Sequence, residues 1–323
     1  MKAIQIERFG GPEVLKLADL PEPPLASDQV LIKVEAIGVN FADILTREGR
    51  YHMPLPLPAV LGFEVSGTAA KVGSKVQGFR EGDRVLSYAV GGYAEYAIGP
   101  ANLVYPMPQG LSFEEGAAFL IVFQTAYHTL KTSGRLKAGE TVLIHAAGGG
   151  VGTSAVQLAK AWGARVFGTA SSDRKLELIR SLGADAAINY AITDFVGEVR
   201  RLTEGRGVDV ILDSIGGEVF AKSLEVLAPL GRLVAFGMAS GTSGVVEARK
   251  LQMANRTVAG ISIGRLRVQA PELLQVSYQE LQTLVETKKI RPLIGRIFPL
   301  AEAAAAHQFI QSRQSMGKVL LKP

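Results

Sequence analysis

The sequence contains no cysteine among its 323 residues. This absence excludes disulfides, thiol nucleophiles and every metal site that depends on thiolate ligands. The Gly-x-Ser-x-Gly elbow, the His-Glu-x-x-His pair and the Walker loop are also missing, so nothing supports a hydrolase or a phosphotransferase. Histidine is scarce, at four residues. We expect His128, His145 and His307 to serve packing or surface roles, whereas His52, next to Tyr51, is the one histidine in a plausible site position.

Long apolar runs and blocks of one charge are missing as well. No uninterrupted apolar stretch reaches the ~18 residues needed to cross a bilayer, and the N-terminus alternates like a strand rather than a signal peptide. We therefore expect a cytoplasmic protein. The formal net charge is +5, but lysine and arginine are scattered along the chain. This scatter favours a solvated surface with a local anion site, and nucleic-acid binding is the weaker alternative.

Two kinds of sequence pattern follow one another along the chain. The first ~120 residues contain short strand-like runs bounded by glycine, proline and aspartate, which predicts a partly open barrel or sandwich. From residue 141 onward, short β-branched runs alternate with helical segments, and this alternation predicts an α/β fold with a doubly wound parallel sheet. The predicted strands of that sheet are 141–145, 165–169, 186–189, 208–213, 232–236 and 257–261.

The C-terminal segment has a different pattern. Its predicted elements are an amphipathic helix over 271–287, a strand at 296–298, an alanine-rich helix over 301–311 and a closing strand at 318–321. This segment is too small to bury a core of its own, so we expect it to fold back onto the N-terminal domain. The predicted domains are a β-rich domain of residues 1–123 with 265–323, and a parallel α/β domain of residues 124–264.

A glycine-rich turn follows the first predicted strand of the parallel sheet. It reads Ala147-x-Gly149-x-x-Gly152, a dinucleotide fingerprint with alanine in its first position. Small residues let the backbone turn tightly and approach a pyrophosphate, and the helix that follows offers free N–H groups to phosphate oxygens. Because strand, turn and helix occur in register, we predict a dinucleotide site at Ala147, Gly149, Gly150, Val151 and Gly152.

The end of the next predicted strand indicates which dinucleotide binds. An NAD site usually carries an acidic residue about 20 residues past the glycines, where it holds the ribose hydroxyls. This strand ends instead in Ala170 and Ser171, and we interpret the nearby Asp173 as an N-cap or first-turn acid of the following helix. Ser171, Arg174 and Lys175 suit a 2′-phosphate, so the predicted cofactor is NADPH. NAD, with Asp173 on the ribose, is the alternative.

Taken together, these motifs resemble the medium-chain dehydrogenase/reductase superfamily, and within it the zinc-free, zeta-crystallin-like quinone oxidoreductases. The resemblance covers essentially the whole chain. It implies a GroES-like β-rich catalytic domain in addition to a Rossmann dinucleotide-binding domain. The motifs that carry it lie at 38–43, 61–67, 82–85, 146–152, 157–160, 182–185, 213–217 and 317–321.

The resemblance also bears on metal binding. Zinc alcohol dehydrogenases of the superfamily carry a cysteine where this chain has Asn40, and a histidine where it has Phe63. The four-cysteine structural zinc lobe is missing too. We therefore expect no metal. A metal-free site suits acceptors that already favour hydride addition, which are quinones or the β-carbon of an enone or enal.

Three residues of the catalytic domain are implied by the resemblance to act at the substrate. The loop that contains Asn40 and Asp43 is implied to lie beside the nicotinamide, and Tyr51 is implied to line the substrate cleft and donate a hydrogen bond to the acceptor oxygen. The alternatives are a half-buried aromatic role for Tyr51, and a turn- or helix-capping role for Asn40 and Asp43. Some relatives carry a second tyrosine where this chain has Leu45, so a more apolar cleft is expected.

The family pattern assigns further residues to the cofactor. It implies that Thr125 lies near the nicotinamide amide, Tyr190 against the adenosine phosphate and Arg313 at the phosphates. Lys175 together with Tyr190 matches the NADPH users of the family. For Tyr190 and Arg313 the alternatives are a core aromatic and a solvated charge. The ribose and nicotinamide rim is predicted to comprise Ser214, Phe236, Gly237, Met238, Ile261 and Ile263.

The predicted function is that of an NADPH-dependent quinone oxidoreductase that transfers hydride to a quinone or similar conjugated carbonyl without zinc. An enoyl or 2-alkenal reductase is the nearest alternative, because it shares every motif. A non-enzymatic NADPH-binding or nucleic-acid-binding protein is the alternative from another class. A homodimer through the edge of the Rossmann sheet is also expected, since the strand 257–261 would otherwise be an exposed apolar edge.

Overall fold

The computed structural model describes residues 1–53 and 55–323 in two compact units. The β-rich unit comprises Met1–Ile121 and Pro292–Pro323, and the Rossmann unit comprises Val122–Arg291. The β-rich unit is therefore discontinuous in sequence, because the whole Rossmann unit is inserted before its last elements. No helix within the described ranges is long and apolar enough to cross a membrane.

The N-terminal part of the β-rich unit consists mainly of strands, in agreement with the short strand-like runs of the sequence. Three-residue turns of 3₁₀ helix separate some of them. The elements are β1 (Lys2–Ile6), β2 (Lys16–Asp19), β3 (Gln29–Val39), α1 (Phe41–Arg47), β4 (Ala59–Val60), β5 (Glu64–Val72), β6 (Arg84–Tyr88), β7 (Tyr96–Pro100), β8 (Val104–Pro106) and α2 (Phe113–Ala117).

The Rossmann unit alternates strands and helices as predicted. The elements, after α3 (Leu120–Tyr127) at the start of the unit, are β9 (Thr141–Ile144), α4 (Gly150–Ala161), β10 (Arg165–Ala170), α5 (Asp173–Ser181), β11 (Ala186–Asn189), α6 (Phe195–Leu202), β12 (Val208–Asp213), α7 (Gly217–Glu225), β13 (Leu227–Ala235), α8 (Ala248–Ala254), β14 (Thr257–Gly260), α9 (Ile263–Gln269) and α10 (Pro271–Glu286). The six strands are all parallel and follow the order β11-β10-β9-β12-β13-β14, which is the doubly wound order of a dinucleotide-binding sheet.

The C-terminal segment completes the β-rich unit with β15 (Ile294–Pro299), α11 (Ala303–Gln311) and β16 (Lys318–Lys322). Strand β16 pairs antiparallel with β3, so the last strand of the chain enters a seven-stranded sheet next to a strand from its beginning. A three-stranded sheet, in the order β2-β1-β4, packs into the same core. The predicted return of the C-terminal strands to the N-terminal domain is confirmed.

The predicted boundary at residue 264 is wrong, because helix α10 belongs to the Rossmann unit. Its apolar face buries Leu274 and Leu281. The Gln124 side chain donates a hydrogen bond to the Leu274 carbonyl (2.7 Å), and His128 lies 3.1 Å from the Ser277 hydroxyl. The amphipathic period predicted the helix correctly, but a period does not specify which neighbour an apolar face will meet.

Candidate functional site

The glycine-rich turn connects β9 to α4 at the carboxyl end of the first Rossmann strand. Ala146 adopts a φ of 50°, and Gly149 is the N-cap of α4. A Cβ added at Gly152 would lie 2.4 Å from the Ala146 carbonyl oxygen and 2.5 Å from Ala147 Cα, so only glycine allows the helix to pack this close to the strand. The first N–H groups of an α-helix lack intrahelical acceptors, so the start of α4 offers donors of the kind that bind anions.

The residues predicted to select the dinucleotide lie together where β10 and β11 end. The backbone N–H of Tyr190, directly after β11, donates to the carbonyl of Ala170, the last residue of β10 (3.1 Å). The aliphatic chain of Lys175 lies 3.1–3.2 Å from the position of a Cβ at Gly148, so this lysine extends along the glycine turn. Burial lowers the pKa of Lys175. Ser171 precedes α5 and Arg174 is exposed in its first turn.

Asp173 is the acidic residue that would favour NAD, and its position supports the other interpretation. It is the first residue of α5, where a carboxylate interacts favourably with the positive end of the helix dipole. Its Oδ1 also accepts a hydrogen bond from Asn189 Nδ2 (3.1 Å). The predicted first-turn position is confirmed.

The turns after β12 and β13 bring the predicted rim residues side by side. The buried Asp213 carboxylate accepts hydrogen bonds from the backbone N–H groups of Ile215 (2.7 Å) and Gly216 (3.1 Å), which shapes the turn at Ser214. Burial raises the pKa of Asp213, although these two bonds oppose the shift. A Cβ at Gly237 would lie 3.0 Å from the Ser214 carbonyl oxygen. The N–H of Ile261 donates to Ala235, which places the segment 261–263 next to the end of β13.

The remaining two predicted cofactor residues lie in other elements and, like those above, stay predictions. Thr125 is buried in α3 at the start of the Rossmann unit. Arg313 follows α11 in the β-rich unit, where it is exposed and has a φ of 60°.

Tyr51 belongs to a small aromatic group in the β-rich unit. Its ring centroid lies 4.2 Å from that of His52 and 5.7 Å from that of Phe63. Tyr51 is half-buried and His52 is exposed. The backbone N–H of Tyr51 donates to the carbonyl of Leu45 in α1, which fixes the tyrosine just beyond the helix (3.2 Å).

Asn40 is the N-cap of α1, and its side-chain amide is held at both ends. Its Oδ1 accepts a hydrogen bond from Lys318 Nζ (2.6 Å), and its Nδ2 donates to Glu64 Oε2 (3.1 Å) and to the Gly38 carbonyl (3.1 Å). Lys318 and Glu64 also form an ion pair at 2.6 Å, with side chains only 3 % and 0 % exposed. Because an ammonium only donates and a carboxylate only accepts, these partners fix which end of the amide carries the oxygen.

Asp43 lies in the first turn of α1 and is fully buried. Its Oδ2 accepts a hydrogen bond from the backbone N–H of Asn40 (2.7 Å), as the capping alternative expects. Burial raises the pKa of Asp43 to about 7, and the Lys318 ammonium opposes that shift. A fully buried carboxyl does not reach a substrate directly, so Asp43 can act only through the groups around it, of which the Asn40 N–H is one.

Three of the four histidines are buried and hydrogen-bonded, as the packing interpretation predicts. His145 lies between the Thr169 and Ser223 hydroxyls, at 3.0 and 2.8 Å. Burial lowers the pKa of His145 and of His128 to about 4, so both are neutral at pH 7. His307 has a more specific set of partners, which is described below.

Glu64 and Lys318 are the residues of this site to which the sequence motifs assigned no role. Both occur within motifs that carry the family resemblance, but 254 residues separate them. Within the described ranges, no group of three or more histidine and acidic side chains is placed to hold a metal ion.

Two family models match the chain. An alcohol dehydrogenase GroES-like domain matches residues 26–109, and a zinc-binding dehydrogenase domain matches residues 150–278. These ranges lie in the β-rich and the Rossmann unit, respectively. The fold and the glycine turn thus define a medium-chain dehydrogenase/reductase.

Similarity to individual proteins extends over the full length. Quinone oxidoreductase from Rattus norvegicus is 37 % identical over 325 residues, which cover 99 % of this chain and 97 % of that protein. Escherichia coli quinone oxidoreductase, solved in complex with NADPH, is 34 % identical with a TM-score of 0.94 and full coverage of both chains. A mycobacterial protein, also solved with NADPH, is 38 % identical with the same TM-score and coverage. The chain belongs to the quinone oxidoreductase family of this superfamily and is an oxidoreductase.

Proposed function

We propose that this chain is an NADPH-dependent quinone reductase that delivers hydride to a quinone or a similar conjugated carbonyl without zinc. The observation that carries the proposal is that Lys175 extends along the glycine turn, while Ser171 and Tyr190 directly follow the adjacent strands β10 and β11. The neighbouring carboxylate, Asp173, already accepts a hydrogen bond from Asn189. A lysine and a hydroxyl suit a 2′-phosphate. Two full-length relatives were solved with NADPH, which supports the same choice.

Different groups of residues bind different parts of the dinucleotide. The N–H groups at the start of α4 bind the pyrophosphate, and Lys175 binds the 2′-phosphate. The rim residues bind the ribose and the nicotinamide. When bound, NADPH supplies the hydride. Thr125 and Arg313 contact the nicotinamide amide and the phosphates. The rim comprises Ser214, Phe236, Gly237, Met238, Ile261 and Ile263.

The acceptor side of the reaction requires one proton for each hydride. A quinone that gains a hydride and a proton becomes a hydroquinone, and NADPH leaves as NADP⁺. Tyr51 donates a hydrogen bond to the acceptor oxygen as negative charge develops there, and Tyr51 or water supplies the proton. Asn40 lies beside the nicotinamide, with its amide held by Lys318 and Glu64.

The residues at the metal positions of zinc-dependent relatives do not fit zinc. Phe63 offers no donor atom, and Asn40 Oδ1 and Glu64 Oε2 both accept hydrogen bonds from the Lys318 ammonium. A cation would have to displace this ammonium to reach either of these two oxygens. The reaction is therefore proposed to proceed without Lewis-acid assistance, which restricts it to activated acceptors.

The test is oxidation of NADPH, followed at its absorbance band, with a panel of quinones and 2-alkenals and with NADH in parallel. The proposal expects turnover of quinones, a preference for NADPH over NADH, and activity that persists after dialysis against a chelator. A preference for 2-alkenals would assign the chain to the enal reductases instead. Tight NADPH binding without turnover on any acceptor would overturn the enzymatic assignment in favour of a binding protein.

The proposed assembly in the cytoplasm is a homodimer through β14. This strand is the last of the six-stranded sheet and pairs on one side with β13. Two copies that pair their β14 strands would satisfy the open hydrogen-bonding edge. Sedimentation equilibrium tests this: the wild type should sediment as a dimer, and Val258→Pro, which removes a strand N–H, should shift it toward monomer.

A further inference from the structure

A buried chain of polar side chains lies behind Asp43 in the β-rich unit. Arg47 of α1 places its Nη1 3.1 Å from Nδ1 of His307 in α11. The other ring nitrogen of His307, Nε2, lies 2.9 Å from the Tyr93 hydroxyl oxygen. The Tyr93 hydroxyl in turn faces the Asp43 side chain, where its hydrogen-bonding influence lowers the pKa of the carboxyl. All four residues are fully buried, and their order is Arg47, His307, Tyr93, Asp43.

The direction of every bond in this chain follows from Arg47. A guanidinium only donates, so His307 Nδ1 must accept and the imidazole proton must lie on Nε2. His307 Nε2 then donates to the Tyr93 oxygen, and the Tyr93 hydroxyl must point its own proton toward Asp43. The chain therefore delivers a donor to the Asp43 carboxyl and cannot run in the opposite direction while Arg47 is charged.

The position of Tyr93 is itself tightly defined. A Cβ added at Gly62, where φ is 106°, would lie 2.5 Å from Tyr93 Cδ1 and 2.6 Å from its backbone nitrogen. The Tyr93 N–H donates to the Leu61 carbonyl at 2.8 Å. The ring of Tyr93 also packs edge-on against the imidazole of His307, with centroids 5.7 Å apart.

Several charges surround Asp43. Burial disfavours its ionised form, and Glu64 at the start of β5 acts in the same direction. Lys318 in β16, the Asn40 N–H and the Tyr93 hydroxyl favour the ionised form. Further along the chain, Arg47 is paired with Glu48 at 2.8 Å, and burial together with Arg47 keeps His307 neutral. Asp43 Oδ1 has no hydrogen-bond partner within the described part of the chain. The ionised carboxylate is therefore stabilised by few donors, and the loss of any one of them should be noticeable.

We propose that His307 and Tyr93 are positioning residues, which favour the ionised form of Asp43 through a one-way hydrogen-bond chain from Arg47 and thereby hold Asn40 in place at the start of α1. The ionised carboxylate anchors the Asn40 backbone N–H at 2.7 Å, while Lys318 and Glu64 hold the Asn40 amide. The effect of Asn40 placement on reduction of the acceptor rests on the proposed function. The ionisation of Asp43 does not rest on it, because it can be measured in the protein without any ligand.

The experiment measures Asp43 directly by ¹³C NMR of the protein labelled at its aspartate carboxyls. The Asp43 signal is identified by its loss in Asp43→Asn. Tyr93→Phe keeps the ring and removes the hydroxyl, so it should raise the titration midpoint of Asp43 by about one pH unit. No nucleotide or acceptor is needed, so this result is independent of whether the chain reduces quinones.

Two substitutions at His307 distinguish the direction of its hydrogen bonds from the space that its side chain fills. In His307→Gln, the new amide can accept from Arg47 through Oε1 and donate to Tyr93 through Nε2. The titration midpoint of Asp43 should therefore stay within about 0.3 pH units of wild type. His307→Met fills similar space without a donor and should raise the midpoint as Tyr93→Phe does. Equal midpoints for the Gln and Met variants, or an unchanged midpoint in Tyr93→Phe, would overturn the proposal. Thermal melts of each variant verify that the measured protein is folded.

Turnover supplies the second readout. If the proposed quinone reduction is correct, the acid limb of the kcat/KM profile should move upward with the Asp43 midpoint in Tyr93→Phe and His307→Met. It should return to its wild-type position in His307→Gln. A purely structural role would lower activity equally at all pH values, which would contradict the inference even in an active enzyme.

Discussion

The two units hold their candidate residues in opposite ways. In the Rossmann unit the backbone does most of the positioning, through a glycine turn, a helix start and the ends of adjacent parallel strands. In the β-rich unit the candidate residues are positioned by charged and polar side chains, which are the Lys318–Glu64 pair and the hydrogen-bond chain that leads from Arg47 toward Asp43. Backbone positioning is local in sequence, whereas side-chain positioning joins segments that are far apart. The first should be sensitive to added volume and the second to lost charge.

The largest effect is expected from breaking the buried ion pair. Lys318→Met leaves Glu64 buried without its cation, and removing one partner of a buried pair costs about 3–5 kcal/mol of unfolding free energy. The matched control is Lys322→Met in the same strand, where the pair with Glu114 is half-exposed and contributes at most about 1 kcal/mol. Urea unfolding of both variants measures the difference. Similar losses in the two would show that burial of the pair is not what matters.

The next effect is a pH dependence centred on His145. Its pKa is about 4 in the fold, against 6.5 ordinarily, so the unfolded chain takes up the proton first as pH falls. The contribution of neutral His145 to the free energy of unfolding is therefore complete above pH 6.5. It is lost as the pH falls toward 4, by up to about 3 kcal/mol. Unfolding free energies at several pH values should show a shallower acid slope in His145→Gln. Above pH 6.5, where His145 is neutral in both the folded and the unfolded chain, the two proteins should have the same slope; a difference there would contradict the assignment.

Added volume at the glycine turn should have a somewhat smaller effect. Gly152→Ala places a methyl group against the backbone of residues 146 and 147, and overpacking of this kind lowers the free energy of unfolding by about 1–3 kcal/mol. The substitution should also weaken nucleotide binding. Gly149→Ala is the control for stability, because its nearest neighbour would be the Ala146 carbonyl oxygen at an ordinary 3.5 Å. Thermal unfolding and nucleotide titration distinguish them. Equal stability of the two variants would refute the close approach.

The smallest expected effect concerns selectivity between the two nucleotides. Lys175→Ala should weaken NADPH binding about tenfold, which is about 1.4 kcal/mol, and leave NADH binding unchanged. Lys222→Ala removes an exposed lysine that pairs with Glu218 in α7 and should change neither affinity. Fluorescence titration of each variant with both nucleotides gives the ratio. A parallel loss for NADH would mean that Lys175 does not contact the 2′-phosphate.

The same contrast explains what the sequence could predict. The six parallel strands and the glycine turn were predictable because their patterns repeat within about ten residues. The assignment of α10 was not, since its apolar face is equally compatible with either unit. The chain from Arg47 to Asp43 was also beyond reach, because His307 lies 260 residues from Arg47 and 214 from Tyr93. His307 was correctly predicted to pack, but a helical histidine in isolation carries no information about its hydrogen-bond partners.

The insertion of the Rossmann unit has a consequence for synthesis on the ribosome. The Rossmann unit is contiguous and can fold as soon as residue 291 has emerged. The β-rich unit has to wait for β16, since Glu64 and Asn40 meet their cation only when Lys318 has left the exit tunnel. The growing chain therefore passes through a stage in which one unit can already be folded while the other still lacks β16. A truncation just before residue 318 should leave a folded dinucleotide-binding unit attached to an incomplete partner.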